Sequence, residues 1–209
     1  ILEDCDVELL ITNQKLLKRI EKLFTESSKK SAAYNRVLVW SNLKKIEIKE
    51  STTDFILLPH AVDNLSMKNP PIRIIDLDVA SIVYTSGSTG KPRGATLTHL
   101  NIVTNTRSIV EYLKLTPDDR VMVVLPFYYI YGKSLLNTHF FVGGSVVVDN
   151  RFLYPNVVLK TMEEQETTGF SGVPSTFTIL LNRSDIRNFN FESLRYITQA
   201  GGAMAPAVQ

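Results

Sequence analysis

Apolar positions along the chain fall into short runs separated by glycine, proline and polar punctuation. Residues 80–84 (Ala-Ser-Ile-Val-Tyr) and 120–125 (Arg-Val-Met-Val-Val-Leu) are brief, nearly unbroken apolar stretches. Such runs read as strands buried on both faces, the habit of parallel sheets. Residues 7–12, 37–40, 54–58, 145–149, 169–173 and 194–199 are predicted as further strands. Between them the spacing turns helical. Leu16, Leu17, Ile20, Leu23 and Phe24 give residues 14–24 an inward stripe, and Leu100, Ile102, Val103, Ile109, Val110 and Leu113 give another. Thr98 stands as the N-cap of that second helix. Residues 133–141, 155–165 and 174–181 complete the helices, with Pro174 well placed at a first turn. Residues 41–53 are polar loop, and 61–73, with Pro70-Pro71, read as a linker. Strands alternating with helices predict an α/β fold with a largely parallel sheet flanked by helices.

Composition changes little in this picture. Hydrophobic residues make up 44% and charged residues 21%, a globular balance, and a net charge of +2 gives no reason to expect a nucleic-acid partner. No 18-residue apolar run predicts integral membrane contact. The single cysteine, Cys5, excludes an internal disulfide and fits a reducing, cytoplasmic compartment. His60, His99 and His139 have no partners at metal-ligand spacing and read as surface or helix residues.

The chemistry concentrates in residues 85–95, which the pattern predicts as loop. Gly87, Gly90 and Gly94 free the backbone, Thr85, Ser86, Ser88 and Thr89 supply hydroxyls, and Lys91 and Arg93 supply cations. Amides, hydroxyls and two cations on one loop suit a polyphosphate. The spacing is wrong for a nucleoside-triphosphatase P-loop, because only two residues separate Gly87 from Gly90 and Pro92 follows Lys91. Ser88-Thr89-Gly90-Lys91 matches S-x-x-K of penicillin-binding enzymes, but the S-D-N and K-T-G partners do not occur. A Ser/Gly linker would not sit between an apolar strand and a helix. Further on, four aromatics among residues 127–131 follow a strand. They can pack a core or wall a ligand site, and the residues alone leave both readings open.

The string Tyr84-Thr85-Ser86-Gly87-Ser88-Thr89-Gly90-Lys91-Pro92-Arg93-Gly94 closely resembles the phosphate loop of the acyl-adenylate-forming superfamily, T-S-G-(S/T)-T-G-x-P-K-G. Arg93 replaces the commonest Lys, putting a planar fork where a point charge is usual. The resemblance implies that residues 85–91, Arg93 and Gly94 hold phosphates and that Thr89 lies nearest the metal. The segment 125–132 is similar to the family's P-L-F-H-x-x-G, with Tyr129 at the His that walls the acyl group. Amino-acid-activating relatives carry Asp at that position, so Tyr129 implies a fatty or aryl acid instead. Residues 170–175 resemble the G-V-P segment, in which Gly172 leaves room for the substrate tail. Ala200-Gly201-Gly202-Ala203-Met204 resembles S-G-G-A-P, with Gly202, Ala203 and Met204 against adenine and Gly201 beside the acyl group; as plain residues it is equally a strand-end turn.

The resemblance implies part of the large domain of an adenylate-forming enzyme, incomplete across residues 1–209. A first α/β portion with linker would cover 1–75, and a phosphate-loop and acyl-pocket portion 76–209. It implies ATP and Mg2+ as cofactors, a small-molecule carboxylic acid as substrate, and coenzyme A or the phosphopantetheine of an acyl carrier protein as acceptor. Ile1 is not Met, and the opening residues resemble the middle of that domain. The metal-assisting Glu, the ribose-binding Asp and the catalytic Lys of the C-terminal domain are expected outside this chain. Alone it is expected to be inactive, and a non-catalytic nucleotide-binding fragment is the rival reading.

Overall fold

The computed structural model describes residues 5, 9–13, 16–17, 36–40, 54–57, 65–66, 68–69, 71–85 and 92–208. The chain divides into two compact units, Ile1–Arg73 and Ile74–Gln209. In the first, β1 (Leu9–Asn13), β2 (Arg36–Trp40) and β3 (Asp54–Leu57) form a parallel sheet in that order. Leu17 is buried as its helical spacing predicts, but Leu16 is 46% exposed. The remainder of the stripe through Ile20, Leu23 and Phe24, and the loop 41–53, lie outside the described residues.

The second unit opens with β4 (Val79–Thr85) and β5 (Arg93–Thr98), an antiparallel pair. This corrects two expectations. Residues 93–95 are strand rather than loop, and β4 is not buried: Ile82 is 42% exposed. Thr98 caps α1 (His99–Leu113), accepting from the Asn101 amide at 3.2 Å while Asn101 Oδ1 accepts from the Thr98 amide at 3.0 Å. This reciprocal cap satisfies donors the first turn would otherwise leave unpaired.

The core sits in a four-stranded parallel sheet ordered β7-β6-β8-β9, from β6 (Arg120–Val123), β7 (Ser145–Val148), β8 (Gly169–Gly172) and β9 (Tyr196–Gln199). Its connecting helices are α2 (Ile130–Val142), α3 (Pro155–Glu164) and α4 (Pro174–Arg183). The period of two in β6 divides the core. Met122 packs with Val158, Leu159 and Met162 of α3, Phe170 of β8 and Leu180 of α4. Val121 and Val123 turn to the other face, against Leu135 of α2. Helices therefore cover both faces, as the uniformly apolar strand predicts.

Alpha-helix α2 starts at Ile130, three residues before the predicted start, because Gly132 permits a close approach. A Cβ there would lie 2.5 Å from the Pro126 carbonyl oxygen and 3.0 Å from that of Leu125. Gly143 (φ +78°) ends the helix in the left-handed conformation that glycine adopts without strain.

His139 is not a surface residue: it is 1% exposed, beneath the amino ends of the strands. Its Nδ1 lies 2.9 Å from the Leu135 carbonyl and its Nε2 lies 2.6 Å from Tyr196 Oη. The carbonyl can only accept, so Nδ1 carries the proton and Nε2 accepts from the tyrosine. Burial pushes the imidazole below its ordinary value of 6.5. Next to it, buried Asp119 takes a bidentate fork from Arg195 (Nη2 to Oδ2 2.6 Å, Nε to Oδ1 3.2 Å) and bonds from the Thr116 amide (2.7 Å) and Thr168 Oγ1 (2.8 Å). Burial raises this carboxyl, but the bonds outweigh it and hold it below its ordinary range. The cluster ties β6, β8, β9 and α2 together.

Candidate functional site

The strand order turns round at β6. After β6 the chain crosses through α2 to β7 on one side, then through α3 to β8 on the other. Loops leaving the carboxyl ends of β6 and β8 therefore diverge, and open α/β sheets place their ligand crevices at such a switch point.

Three segments converge there. Tyr129, at the end of the loop after β6, is fixed by its amide to the Pro126 carbonyl (3.0 Å) and caps α2. Val173 and Pro174 follow β8. The Gly201-Gly202 turn follows β9, held by Gln199 Nε2 donating to the Gly202 carbonyl at 2.7 Å. Gly201 has φ +91°, a conformation that disfavours any side chain. A Cβ at this position would stand 3.2 Å from Val173 Cγ1 and 3.4 Å from Tyr129 Oη. Tyr129, Val173 and Gly201 thus share one small volume although 72 residues of sequence separate the first from the last. At Gly202 a Cβ would approach only Pro174, at 3.7 Å, and Gly202 and Ala203 are exposed while Met204 is half-buried. The turn exposes backbone with little side chain.

Beneath these loops runs a line of hydroxyls that the sequence reading missed. Tyr131 Oη and Ser171 Oγ each lie 2.7 Å from Thr198 Oγ1, joining α2, β8 and β9. Burial raises the Tyr131 phenol above its ordinary value. Nothing in the sequence marks three hydroxyls spread over 68 positions as a group; only the parallel register of β8 and β9, which pairs Ser171 with Thr198, assembles them.

Packing alone gives Gly172 a reason to be glycine. Its missing Cβ would collide with Thr176 Cβ and Cγ2 at 2.8 Å and crowd Phe177 at 3.1 Å. The space is taken by the first turn of α4, whose Thr176 Oγ1 accepts from the Val173 amide at 3.2 Å. Gly172 lets α4 pack closely and so sets Val173 and Pro174 in place.

The glycine and hydroxyl loop spans the tip of the β4–β5 pair. Thr85 ends β4, Arg93 begins β5, and the two face each other in the ladder, as do Tyr84 and Gly94. A Cβ on Gly94 would meet Ile82 at 2.7 Å and the Tyr84 ring at 3.2 Å, so this glycine accommodates its neighbours on β4. Ser86, Gly87, Ser88, Thr89, Gly90 and Lys91, and with them the expected phosphate contacts and the expected metal position at Thr89, lie outside the described residues. Among the described residues no group of three or more His, Cys, Asp and Glu side chains is gathered to hold a metal. No described helix is long and apolar enough to cross a membrane.

Residues 1–209 match the family described as AMP-binding enzyme. The chain is 38% identical over 131 residues to the oxalate–CoA ligase of Saccharomyces cerevisiae, covering 62% of this chain and 24% of that protein. It is 32% identical over 139 residues to a feruloyl-CoA synthase from an Amycolatopsis species, covering 66% and 28%. It therefore spans about a quarter of the length of these curated relatives. The crystal structure of the anthranilate CoA ligase AuaEII in complex with anthranoyl-AMP superposes on 99% of the chain with a TM-score of 0.85 at 22% identity, over 38% of its own length.

Proposed function

The chain belongs to the AMP-binding enzyme family, and from that premise we propose that the whole protein is an acid–thiol ligase acting through an acyl adenylate. In the first step a substrate carboxylate oxygen attacks the α-phosphorus of ATP. The new O–P bond gives acyl-AMP, and the bond to pyrophosphate breaks. In the second a thiol sulfur attacks the acyl carbon and its proton is released; the C–S bond forms, the acyl C–O bond breaks, and AMP leaves with that oxygen and the bonding electron pair.

One observation carries the reading: Tyr129 Oη, Val173 and Gly201 meet at the carboxyl ends of the parallel strands. There Tyr129 walls the acyl group, and the backbone of Gly201 stands beside its carbonyl. Gly202, Ala203 and Met204 face the adenine. Thr85, the loop 86–91 and the Arg93 guanidinium hold the β- and γ-phosphates, a donor set of hydroxyls, amides and cations suited to polyphosphate. Magnesium bound to those phosphates would neutralise the leaving pyrophosphate, with Thr89 beside it. Its donors would be chiefly phosphate oxygens.

Tyr129 offers no charge to a substrate ammonium, which supports a carboxylic acid lacking an α-amine. The relatives named for oxalate and ferulate act on acids of that kind. The acceptor is coenzyme A or a carrier-protein phosphopantetheine. The single cysteine among 209 residues supports a cytoplasmic location.

The test is a screen of the full-length enzyme for pyrophosphate release with fatty, aryl, dicarboxylic and α-amino acids, each assayed with coenzyme A and with a phosphopantetheinylated carrier protein. Release dependent on a non-amino acid is the expected result. Faster turnover with a free α-amino acid would overturn the substrate class, and silence with every acid would overturn the adenylation.

A further inference from the structure

The three segments that meet at the site, the start of α2 at Tyr129, the end of β8 at Val173 and the turn after β9 at Gly201, are joined a second time one layer below. Tyr131 follows Tyr129 by two residues, Ser171 precedes Val173 by two, and Thr198 precedes Gly201 by three. Thr198 Oγ1 lies 2.7 Å from Tyr131 Oη and 2.7 Å from Ser171 Oγ. Val173 is still extended backbone (φ −94°, ψ 166°). Two residues of strand advance about 7 Å and return to the same face, so Ser171 lies under Val173 and the hydroxyl line under the junction.

The way α2 is held gives this line its weight. An apolar cluster joins Tyr131 and Leu135 of the helix to Val121 and Val123 of β6 and Val146 of β7. Toward β9, which lies beyond β8 in the sheet, α2 makes two hydrogen bonds: Tyr131 with Thr198 near the carboxyl ends of the strands, and His139 with Tyr196, at 2.6 Å, near their amino ends. Apolar packing is non-directional, whereas a short bond between hydroxyls fixes both distance and angle. Ser171 is fully buried, where a hydroxyl is costly unless bonded, and it is bonded to Thr198. Thr198 is thereby pinned to β8 on one side and to α2 on the other. A buried polar network whose members are satisfied rigidifies the elements it joins.

We propose that Tyr131 and Thr198, steadied by Ser171, are positioning residues that set the gap between Tyr129 and the Gly201 turn, and with it the size of acyl group the enzyme accepts. They act through Tyr129 and Gly201, not on the reacting atoms. The inference rests on the adenylation reading and adds to it the device that fixes its acyl selectivity.

The experiment follows pyrophosphate release by the full-length enzyme across acids that differ by one methylene. It reads the ratio of kcat/KM for the preferred acid to that for its next larger homologue. A loss of folded enzyme scales every acid alike and leaves this ratio where it was. Tyr131→Phe keeps the ring and Thr198→Val keeps the shape, and each removes the bond. Each is expected to lower the ratio by ~3- to 10-fold, the span of one neutral hydrogen bond, because a gap no longer held rejects the larger acid less. Thr198→Ser, which keeps the hydroxyl, is expected to retain the wild-type ratio. The double variant Tyr131→Phe/Thr198→Val should shift the ratio no further than Thr198→Val alone, since both changes break the same bond. Unchanged ratios in the single variants, additive shifts in the double, or a shift in Thr198→Ser equal to that in Thr198→Val would each overturn the proposal and leave the hydroxyls as core packing. So would a wild-type enzyme that turns over both homologues equally. In all these cases release of pyrophosphate leaves the adenylation reading standing; no release with any acid would bring down both.

Discussion

Replacing Gly169 with alanine tests how closely the central sheet is fitted. Gly169 on β8 faces Tyr196 on β9 in the parallel register, and the tyrosine ring lies across the glycine. An alanine Cβ would fall 2.2 Å from both Cζ and Oη, roughly 1 Å inside ordinary van der Waals contact. The ring cannot simply swing aside, because Oη is bound to His139 Nε2 at 2.6 Å and the Arg195 guanidinium lies 5.3 Å from the ring centroid. Overpacking of this kind costs ~1–3 kcal/mol. If the ring moves, His139 keeps a buried nitrogen without its donor, which costs a further ~1–3 kcal/mol. The expected loss is thus about 2–6 kcal/mol, a large fraction of the ~5–15 kcal/mol that holds a typical domain together. Urea unfolding followed by circular dichroism would measure it for Gly169→Ala, Tyr196→Ala and the double variant. In the double variant the ring is gone, so it should be no less stable than Tyr196→Ala alone. Additive losses would show that the collision is not the cause, and the fitted-sheet argument would fail.

Three other predictions concern separate parts of the molecule. Gly132→Ala sets a Cβ against the Pro126 carbonyl, so α2 must retreat and carry Tyr129 with it; a displacement of ~1 Å should slow adenylation by up to about 10²-fold, measured by pyrophosphate release, and an unchanged rate would detach Tyr129 from the chemistry. Stability should fall with acidity in two stages. The folded His139 value is depressed, so the unfolded chain takes up the extra proton and stability present above pH 6.5 is lost below it; Asp119 and Asp149, also depressed, add a second loss below about pH 3.8. Urea midpoints measured from pH 8 to 3 should show the first decline disappear when His139 is replaced by Gln. Lys91→Ala in the full-length enzyme should slow adenylation ~10²-fold and leave thiol transfer from supplied acyl-AMP nearly unchanged, because its charge matters as pyrophosphate departs; equal damage to both steps would make Lys91 a structural residue.

The sheet β6 to β9 and helices α3 and α4 were legible because their signals are local: apolar runs of strand length, Pro155 and Pro174 at first helical turns, and the Gly143-Gly144 break. Strand β5 was not. Arg93-Gly94-Ala95 lacks alternation, and these residues become strand through pairing with Thr85, Tyr84 and Val83, which no local window contains. His139 lies on a helix, one of the two places expected, and its burial follows from spacing, since it stands four residues from buried Leu135 and three before Val142 on one stripe of α2. The glycines divide along the same line. Motif position marked Gly172 and Gly201 as important, but only the packing shows that one makes room for a helix and the other sits close against Val173. The hydroxyl line through Thr198 had no sequence signature at all.

The order in which the sheet is assembled gives the site a place in time. A ribosome delivers β6 with Tyr129 first, and β9 with the Gly201 turn some 70 residues later. Until β9 adds to the edge offered by β8, the proposed pocket lacks its Gly201 wall, and a nucleotide or acid gains little by binding. Pairing across such separations carries a loop-closure penalty and is expected late in folding. A ligand can then act only as a latch, slowing the unfolding of a finished sheet without hastening its formation. Acyl-AMP analogues should accordingly shift the unfolding limb of a chevron plot and leave the refolding limb in place.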